Sequence, residues 1–107
     1  MREGATVDET YTCSIWDIDE DKQDLFIDTF QAFARAADES GGTADGMILR
    51  DVEDPHRFIV IRRWDSADAV LRWGVASQTH PAGEALRNLV PEATDAFMTT
   101  KVASIGS

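Results

Sequence analysis

The chain has 107 residues, 43% of them hydrophobic, which suits one domain with a core but is too little for two. Its 20 acidic and 10 basic residues give a net charge of −10, which argues against nucleic acid or an anionic membrane surface as partner. Cys13 is the only cysteine, so no intrachain disulfide can form, and two histidines with one cysteine disfavour a zinc site. No signal-peptide core or membrane-spanning run is present, so we expect a cytoplasmic protein that carries neither metal nor flavin.

The first part of the chain predicts a strand followed by an amphipathic helix. Residues 1–9 are polar and small and predict a flexible arm, ahead of a single domain over residues 10–107. TYTCSIWDI (10–18) is rich in β-branched and aromatic residues, as strands are. Asp21 is the predicted N-cap of a helix whose first turn carries Asp24, where a carboxylate complements the positive helix end. The helix is expected to stop at Gly41-Gly42, and its apolar stripe consists of Leu25, Phe26, Phe30, Phe33, Ala34 and Ala37.

The remainder of the chain predicts a hairpin, a second helical region and a last strand. GMILRD (46–51) and FIVIRRW (58–64) are apolar runs separated by a turn that holds Pro55, which is typical of a β-hairpin. A helix then begins at Asp65 or Ser66, with Ala67, Val70, Leu71 and Gly74 as its core-facing side. It breaks at His80-Pro81, residues 81–90 add one or two helical turns, and TDAFMTTKVASI (94–105) is the last strand. The order βαββαβ predicts an α+β, ferredoxin-like fold with a four-stranded antiparallel sheet.

Apolar side chains fall on both faces of the predicted strands. Trp16, Ile59 and Ile61 are examples, whereas the helices of this fold cover only one face of the sheet. A second apolar face needs a second cover. For a chain this short, the simplest cover is another copy of the same chain, so we expect a homodimer.

The hairpin and the corner after it resemble a known family. LRDVEDPHRFIVIRRWDSADAV (49–70) is similar to the antibiotic biosynthesis monooxygenase domain of the dimeric α/β-barrel superfamily, except that Arg62 stands where that family has an acid. The resemblance extends over about residues 10–104. It implies dimers that meet sheet to sheet and a pocket between the helices and the sheet of each subunit. Characterised members oxidise polycyclic phenolic compounds with O₂ and without metal or flavin, and a related branch binds and degrades haem.

Two tryptophans near the corner are candidates for the site. Trp64 ends a predicted strand and can pack the second helix onto the sheet, since indoles are common core residues at such corners. Trp73 can equally be a core residue beside Val70. The resemblance favours a functional reading of Trp73, because family members use a tryptophan at the matching position of the second helix. Its indole would then stack on a flat substrate and donate a hydrogen bond.

His80 is the candidate general base. A histidine in a polar loop is often only solvated, but its near-neutral pKa suits a base or an axial haem ligand. The haem-degrading branch carries its ligand histidine further from the tryptophan of the second helix than His80 lies from Trp73. That branch also has an asparagine on the first strand, where this chain has Cys13 or Ser14. Both departures argue against haem.

Three further residues, Arg62, Cys13 and Ser14, complete the predicted site. Arg62 and Arg63 point to opposite faces of one strand, so one of them faces the interior or the dimer interface. An inward arginine needs a carboxylate partner or an anionic ligand. Cys13 and Ser14 likewise lie on opposite faces of the first strand, and Cys13 can simply be a small buried hydrophobic residue.

The leading hypothesis is a homodimeric, cofactor-independent monooxygenase that acts on a flat aromatic or quinone-type molecule with O₂. His80 would be the base, Trp73 the stacking donor and Arg62 the charge stabiliser, whereas Trp64, Cys13 and Ser14 would contact the substrate. One alternative is a haem-binding and haem-degrading monooxygenase. The other is a non-catalytic dimeric ligand-binding domain, because a fold alone does not establish an activity.

Overall fold

A computed structural model describes residues 9–39 and 43–106, without the side chains of residues 43 and 44. The predicted Gly41-Gly42 helix stop and nearly all of the predicted arm lie outside these ranges. The described elements are β1 (Thr10–Asp17), α1 (Gln23–Glu39), β2 (Thr43–Arg50), β3 (Arg57–Trp64), α2 (Ala67–Ala76), α3 (Pro81–Leu89) and β4 (Asp95–Thr100), with one 3₁₀ turn at Glu20–Lys22. This order confirms the predicted α+β, ferredoxin-like fold. None of the helices in the described ranges combines the length and the apolar character needed to cross a bilayer.

The four strands form an antiparallel sheet in the order β2-β3-β1-β4. In the β1–β3 register, Trp16 is opposite Phe58 and Thr12 is opposite Arg62. Strand alternation places these four side chains on one face, which the helices cover. Cys13 is opposite Ile61 of β3 and Phe97 of β4, so it belongs to the other face.

The main core lies between α1, α3 and the helix-covered face of the sheet. The Phe26 ring contacts those of Trp16 and Phe58, with centroid distances of 5.5 and 5.6 Å. It also contacts the Phe30 ring one turn later in α1, with a centroid distance of 5.7 Å. Each fully buried aromatic or aliphatic side chain contributes about 1.5–3 kcal/mol to stability. The buried members of this cluster are Trp16, Ile18, Phe26, Phe30, Phe58, Val60 and Leu86.

A second core cluster joins α1 and α2 around two indoles. Trp64 at the end of β3 and Trp73 on α2 are its large members, and both are buried. The other buried members are alanines, Ala36 and Ala37 on α1 and Ala69 on α2. Because alanine is small, the two indoles occupy most of the space in this cluster.

The predicted apolar side of α2 is wrong at three of its four residues, whereas the fourth, Val70, is half-buried against the second core cluster. Leu71 is 60% exposed, Ala67 is exposed, and a Cβ added at Gly74 would meet no atom within 4 Å. The buried residues are instead Ala69 and Trp73, one helical turn apart. Ser66 is the N-cap, as one of the two predicted alternatives had it, and its Oγ accepts a hydrogen bond from the Ala69 N–H at 3.1 Å.

The start of α1 also differs from its prediction. Asp21 lies inside the 3₁₀ turn, and α1 follows directly from Gln23. The buried Gln23 amide donates to the Ile18 carbonyl at 3.1 Å and to the Pro55 carbonyl at 2.9 Å. It therefore ties the start of the helix to the hairpin turn, whereas the predicted stripe residue Leu25 is 57% exposed.

Strand ends differ as well, at β2 and β4. Strand β2 begins at Thr43, three residues before the predicted start, and strand β4 ends at Thr100 rather than at residue 105. Beyond Thr100, the Lys101 N–H still donates to the Glu9 carbonyl at 2.9 Å, but Val102 and Ile105 are almost fully exposed.

The sheet face opposite the helices, called the open face below, carries an apolar centre. Met47, Leu49 and Phe97 are exposed there, and Ile59 and Ile61 are only half-buried. Along β3, the side chains of this face alternate with buried core residues, as predicted. No second chain is described, so dimerisation through the open face stays a prediction.

Candidate active site

A cavity of about 340 Å³ lies between the helix-covered face of the sheet and all three described helices. Ligand sites in proteins usually have about 300–1,000 Å³ and mostly apolar walls with a few polar groups. This space, the central cavity, has that character. Its lining consists of Thr12, Cys13, Ser14, Trp16, Phe30, Phe33, Arg62, Trp64, Val70, Trp73, Leu86, Ala96, Phe97 and Met98.

All three tryptophans of the chain line the central cavity, but their N–H groups differ. The Trp64 Nε1 donates to Thr12 Oγ1 at 2.8 Å, and the Trp16 Nε1 donates to Ser14 Oγ at 2.8 Å. The Trp73 Nε1 is buried and has no hydrogen-bond partner among the described residues. A buried donor without an acceptor costs about 1–3 kcal/mol. Trp73 is therefore the indole whose N–H still needs an acceptor.

Trp73 is held in place by two ring contacts. Its indole is 4% exposed and packs against Phe33 of α1, with ring centroids 5.2 Å apart. On its other side, the His80 imidazole meets it edge-on at 5.5 Å. The two contacts join α2, which carries Trp73, to α1 and to the N-cap of α3. The position of the indole therefore depends on the packing of all three helices.

Arg62 places a positive charge at the wall of the central cavity. It is 6% exposed, its guanidinium carbon lies 4.7 Å from the centroid of Trp64, and its Nη2 donates to the Ala34 carbonyl at 3.4 Å. Burial lowers the pKa of Arg62 to about 10, and Asp38 acts in the opposite direction. Since this pKa is still well above 7, the guanidinium is charged at neutral pH.

Cys13 and Ser14 both border the central cavity but present different groups to it. Ser14 shares the helix-covered face with Trp16, and its hydroxyl, which accepts from that indole, still has its own O–H to donate. Cys13 is half-buried and lies opposite Ile61 and Phe97, so alternation turns its thiol toward the open face.

His80 lies outside the described lining of the central cavity and caps α3. Its Nδ1 accepts a hydrogen bond from the Ala82 N–H at 3.0 Å, and Pro81 occupies the first position of the helix. Because Nδ1 is the acceptor, the proton of the neutral imidazole is on Nε2. To act as a base with either nitrogen, the ring would have to release the cap. The structure therefore brings together the other five predicted site residues but not His80.

One protein family matches the chain in sequence over residues 14–86. The family is described as antibiotic biosynthesis monooxygenase. The chain belongs to this family. This match confirms the resemblance found in the hairpin and corner.

Solved structures agree on the fold. SnoaB, a cofactor-independent oxygenase from Streptomyces nogalater, is 18% identical with a TM-score of 0.70, over 95% of this chain and 100% of that one. A candidate antibiotic biosynthesis monooxygenase from Bordetella bronchiseptica has a TM-score of 0.75 at 11% identity, over 90% and 99% of the two chains. A haem-degrading protein from Mycobacterium tuberculosis has a TM-score of 0.66 at 20% identity, over 95% and 100%. No curated protein sequence matches the chain.

The arrangement of residues does not fit haem. An imidazole that binds iron must offer an unprotonated nitrogen, but the Nδ1 of His80 is engaged in the cap and its Nε2 carries the proton. The described lining of the central cavity contains no imidazole. We therefore derive no step through haem.

Sequence reasoning missed the hydroxyls that satisfy two of the indoles. Thr12, Ser14 and Trp16 alternate along β1 and so share one face, which was readable from the sequence. The pairing of Thr12 with Trp64 was not readable, because it joins residues that meet only when β1 aligns with β3.

The Trp73→Phe variant is expected to separate ligand binding from packing. It removes an N–H that has no internal partner, so the free energy of unfolding should fall by only about 1–2 kcal/mol from lost ring volume. Affinity for a quinone should fall by about 1–3 kcal/mol, since its carbonyl would lose the donor. Urea denaturation and calorimetric titration with a naphthoquinone measure the two effects. An unchanged affinity together with a large loss of stability would assign Trp73 to the core alone.

Proposed function

We propose that the chain is a small oxygenase that binds a flat phenolic, anthrone or quinone-type molecule in the central cavity and oxidises it with O₂ without metal or flavin. The observation that carries this proposal is the Trp73 N–H, which is buried without a partner on an indole that lines the aromatic cavity together with the charged Arg62. Such a donor and such a charge are what a planar molecule with an anionic oxygen requires. Family membership and the likeness to a cofactor-independent oxygenase support it.

In this chemistry the substrate is its own electron donor. Loss of a proton from an anthrone or hydroquinone gives an electron-rich anion, which reduces O₂. When a CH₂ group of an anthrone is oxidised to a carbonyl, one oxygen atom enters the product and the other leaves as water. The protein has to stabilise the anion, hold it flat and exclude water.

Arg62 is the group best placed to stabilise the anion. Its guanidinium is buried in a medium of low dielectric, where a fixed charge attracts an anion more strongly than it does in water. The described lining contains no carboxylate and no imidazole, so it offers no strong base next to the substrate. We therefore infer a substrate that is already acidic, whose pKa Arg62 lowers further. In this proposal His80 positions the Trp73 ring, and it acts as the base only if the α3 cap opens.

The proposed assembly is a homodimer joined through the open face. Its apolar centre supports this, and the helix-covered face, with the central cavity, would stay accessible in each subunit.

Oxygen consumption with dithranol, an anthrone, tests the proposed function. The expected result is uptake that produces the corresponding anthraquinone, survives a metal chelator and does not depend on flavin. No uptake with any anthrone or hydroquinone, despite tight binding, would favour a ligand-binding domain. A stoichiometric shift of the visible haem absorption band on titration with haem would favour the haem-degrading alternative.

The variants Arg62→Met and Arg63→Met test the role of the Arg62 charge, with Arg63→Met as the control. We expect the first variant to lower the oxidation rate by about 100-fold or more, which is typical for loss of a group that stabilises an oxyanion. Its stability should stay within about 1 kcal/mol of the parent or rise, because methionine needs no hydration and the Asp38 carboxylate is exposed. Arg63 pairs with Asp45 at 3.4 Å, away from the central cavity, and its variant should keep the rate. Equal rates in both variants would remove Arg62 from the proposal.

A further inference from the structure

A second cavity lies on the other side of Arg62, between α1 and the edge strand β2. It has a volume of about 560 Å³, larger than the central cavity, and lies in the range of ligand sites. Phe30 and Arg62 are the only residues common to both linings, so they form the wall between the two spaces. This β2 cavity is lined by Ile27, Phe30, Gln31, Ala34, Asp38, Asp45, Gly46, Met47, Ile48, Arg50, Phe58, Val60 and Arg62.

Two small residues, Gly46 and Ala34, line the β2 cavity at the end near Arg62. Gly46 is opposite Arg62, and a Cβ there would lie 2.6 Å from the Ile61 carbonyl oxygen and 3.1 Å from the Arg62 Cα. At position 46 no larger residue fits without movement of the backbone. On the facing helix, Ala34 also has a short side chain. From Gly46 to Arg50 the strand rises by about 13 Å, at about 3.3 Å per residue. The β2 cavity is therefore an elongated slot.

The two ends of the slot differ in how their charges are paired. Arg50, opposite Phe58, marks one end, and its guanidinium carbon lies 5.2 Å from the centroid of that ring. Its Nη2 donates to the neutral Gln23 Oε1 at 3.3 Å, and among the described residues no carboxylate is recorded within ion-pair distance of it. At the other end the charges are matched, because Asp38 interacts electrostatically with Arg62 and Asp45 pairs with Arg63 at 3.4 Å.

The walls between the two ends are apolar. Ile27 of α1, Ile48 of β2 and Val60 of β3 face the slot, with the rings of Phe30 and Phe58 beside them. A molecule that fills this space has to be apolar along its length. It also gains from a negative charge at the Arg50 end only, since each arginine at the other end already faces a carboxylate.

We propose that the β2 cavity binds an elongated amphiphilic monocarboxylic acid, with its carboxylate on Arg50 and its chain along β2 toward Arg62. A guanidinium recognises a carboxylate through two parallel N–H bonds, and the ring of Phe58 holds the Arg50 group in place. This site is separate from the central cavity and does not depend on the oxygenase activity proposed for it.

Calorimetric titration with three probes of equal chain length tests the charge requirement. Decanoate is expected to bind to each chain once, decanol at least about tenfold more weakly, and decylamine not measurably. Arg50→Gln should weaken decanoate about tenfold while leaving the affinity for decanol unchanged. Equal affinities for decanoate and decanol in the parent, or an Arg50→Gln variant that binds decanoate like the parent, would overturn the assignment.

Two cavity-filling variants locate the bound acid. Ile48→Trp fills the β2 cavity and is expected to abolish decanoate binding, whereas Ala96→Trp fills the central cavity and should leave it unchanged. The reverse pattern would place the acid in the central cavity, and unchanged binding in both variants would place it on the surface. Either result would overturn the proposal. Thermal unfolding checks that both variants fold. If Ile48→Trp does not fold, the Arg50→Gln variant still tests the proposal.

A second copy of the chain is the competing occupant of the slot. If residues 101–106 of another copy filled it, decanoate would bind only to a monomeric variant such as Ile61→Asp and not to the assembled parent. That outcome too would overturn the proposal. Decanoate binding of equal affinity to both forms is the expected result.

Discussion

Trp64→Ala is expected to lower the free energy of unfolding by about 3–5 kcal/mol, the range for emptying a buried aromatic site. The Trp64 indole is buried in the cluster between α1 and α2, lies beneath the Arg62 guanidinium and donates to Thr12 Oγ1 at 2.8 Å. The alanine variant removes all three contacts at once. Urea denaturation followed by circular dichroism measures the change.

Two control variants divide this loss into its parts. Trp64→Phe keeps a ring under Arg62 but removes the N–H that Thr12 accepts, so it should cost about 1–2 kcal/mol. Leu71→Ala changes an exposed residue of α2 and should stay within about 0.5 kcal/mol of the parent. If Leu71→Ala were as costly as Trp64→Ala, the buried side of α2 would be the one that the sequence pattern predicted.

The order of the elements was predictable because its signals are local. Period-2 runs, the Pro55 turn and the Ser66 cap each depend on residues close together in the sequence. The buried side of α2 was not predictable in the same way. Its sequence ADAVLRWGVA has apolar residues on nearly every side, so spacing alone could not choose between Leu71 and Trp73. Contacts from α1 and His80 make that choice, and they are tertiary.

The candidate active site shows the same division. Alternation along β3 separates Arg62 from Arg63, and the structure places the first at the central cavity and the second beside Asp45. Histidine is not among the usual capping residues, so the cap formed by His80 had only Pro81 as a signal. The β2 cavity had none, because it arises where α1 leaves part of the edge strand uncovered.

Ile61→Asp is expected to convert a homodimer into a monomer of 11.8 kDa. Ile61 lies at the centre of the open face, opposite Cys13 on one side and Met47 on the other. In a two-fold interface each substitution occurs in both copies, so two carboxylates would be buried among apolar side chains. Each uncompensated buried charge costs several kcal/mol, so dimer affinity should fall by at least about 1,000-fold. Sedimentation equilibrium at micromolar concentration measures the mass.

Leu71→Asp is the matched control, since it adds the same charge to an exposed position of α2 on the opposite side of the molecule. It should remain dimeric. A charge of −10 per chain makes the two copies repel each other, so added salt should tighten the parent dimer by screening that repulsion. Dissociation in moderate salt would instead indicate an interface held by ion pairs, with Arg63 and Asp45 at the edge of the open face as the first candidates. A parent that sediments only as a monomer would show that the apolar open face is not covered by a second copy.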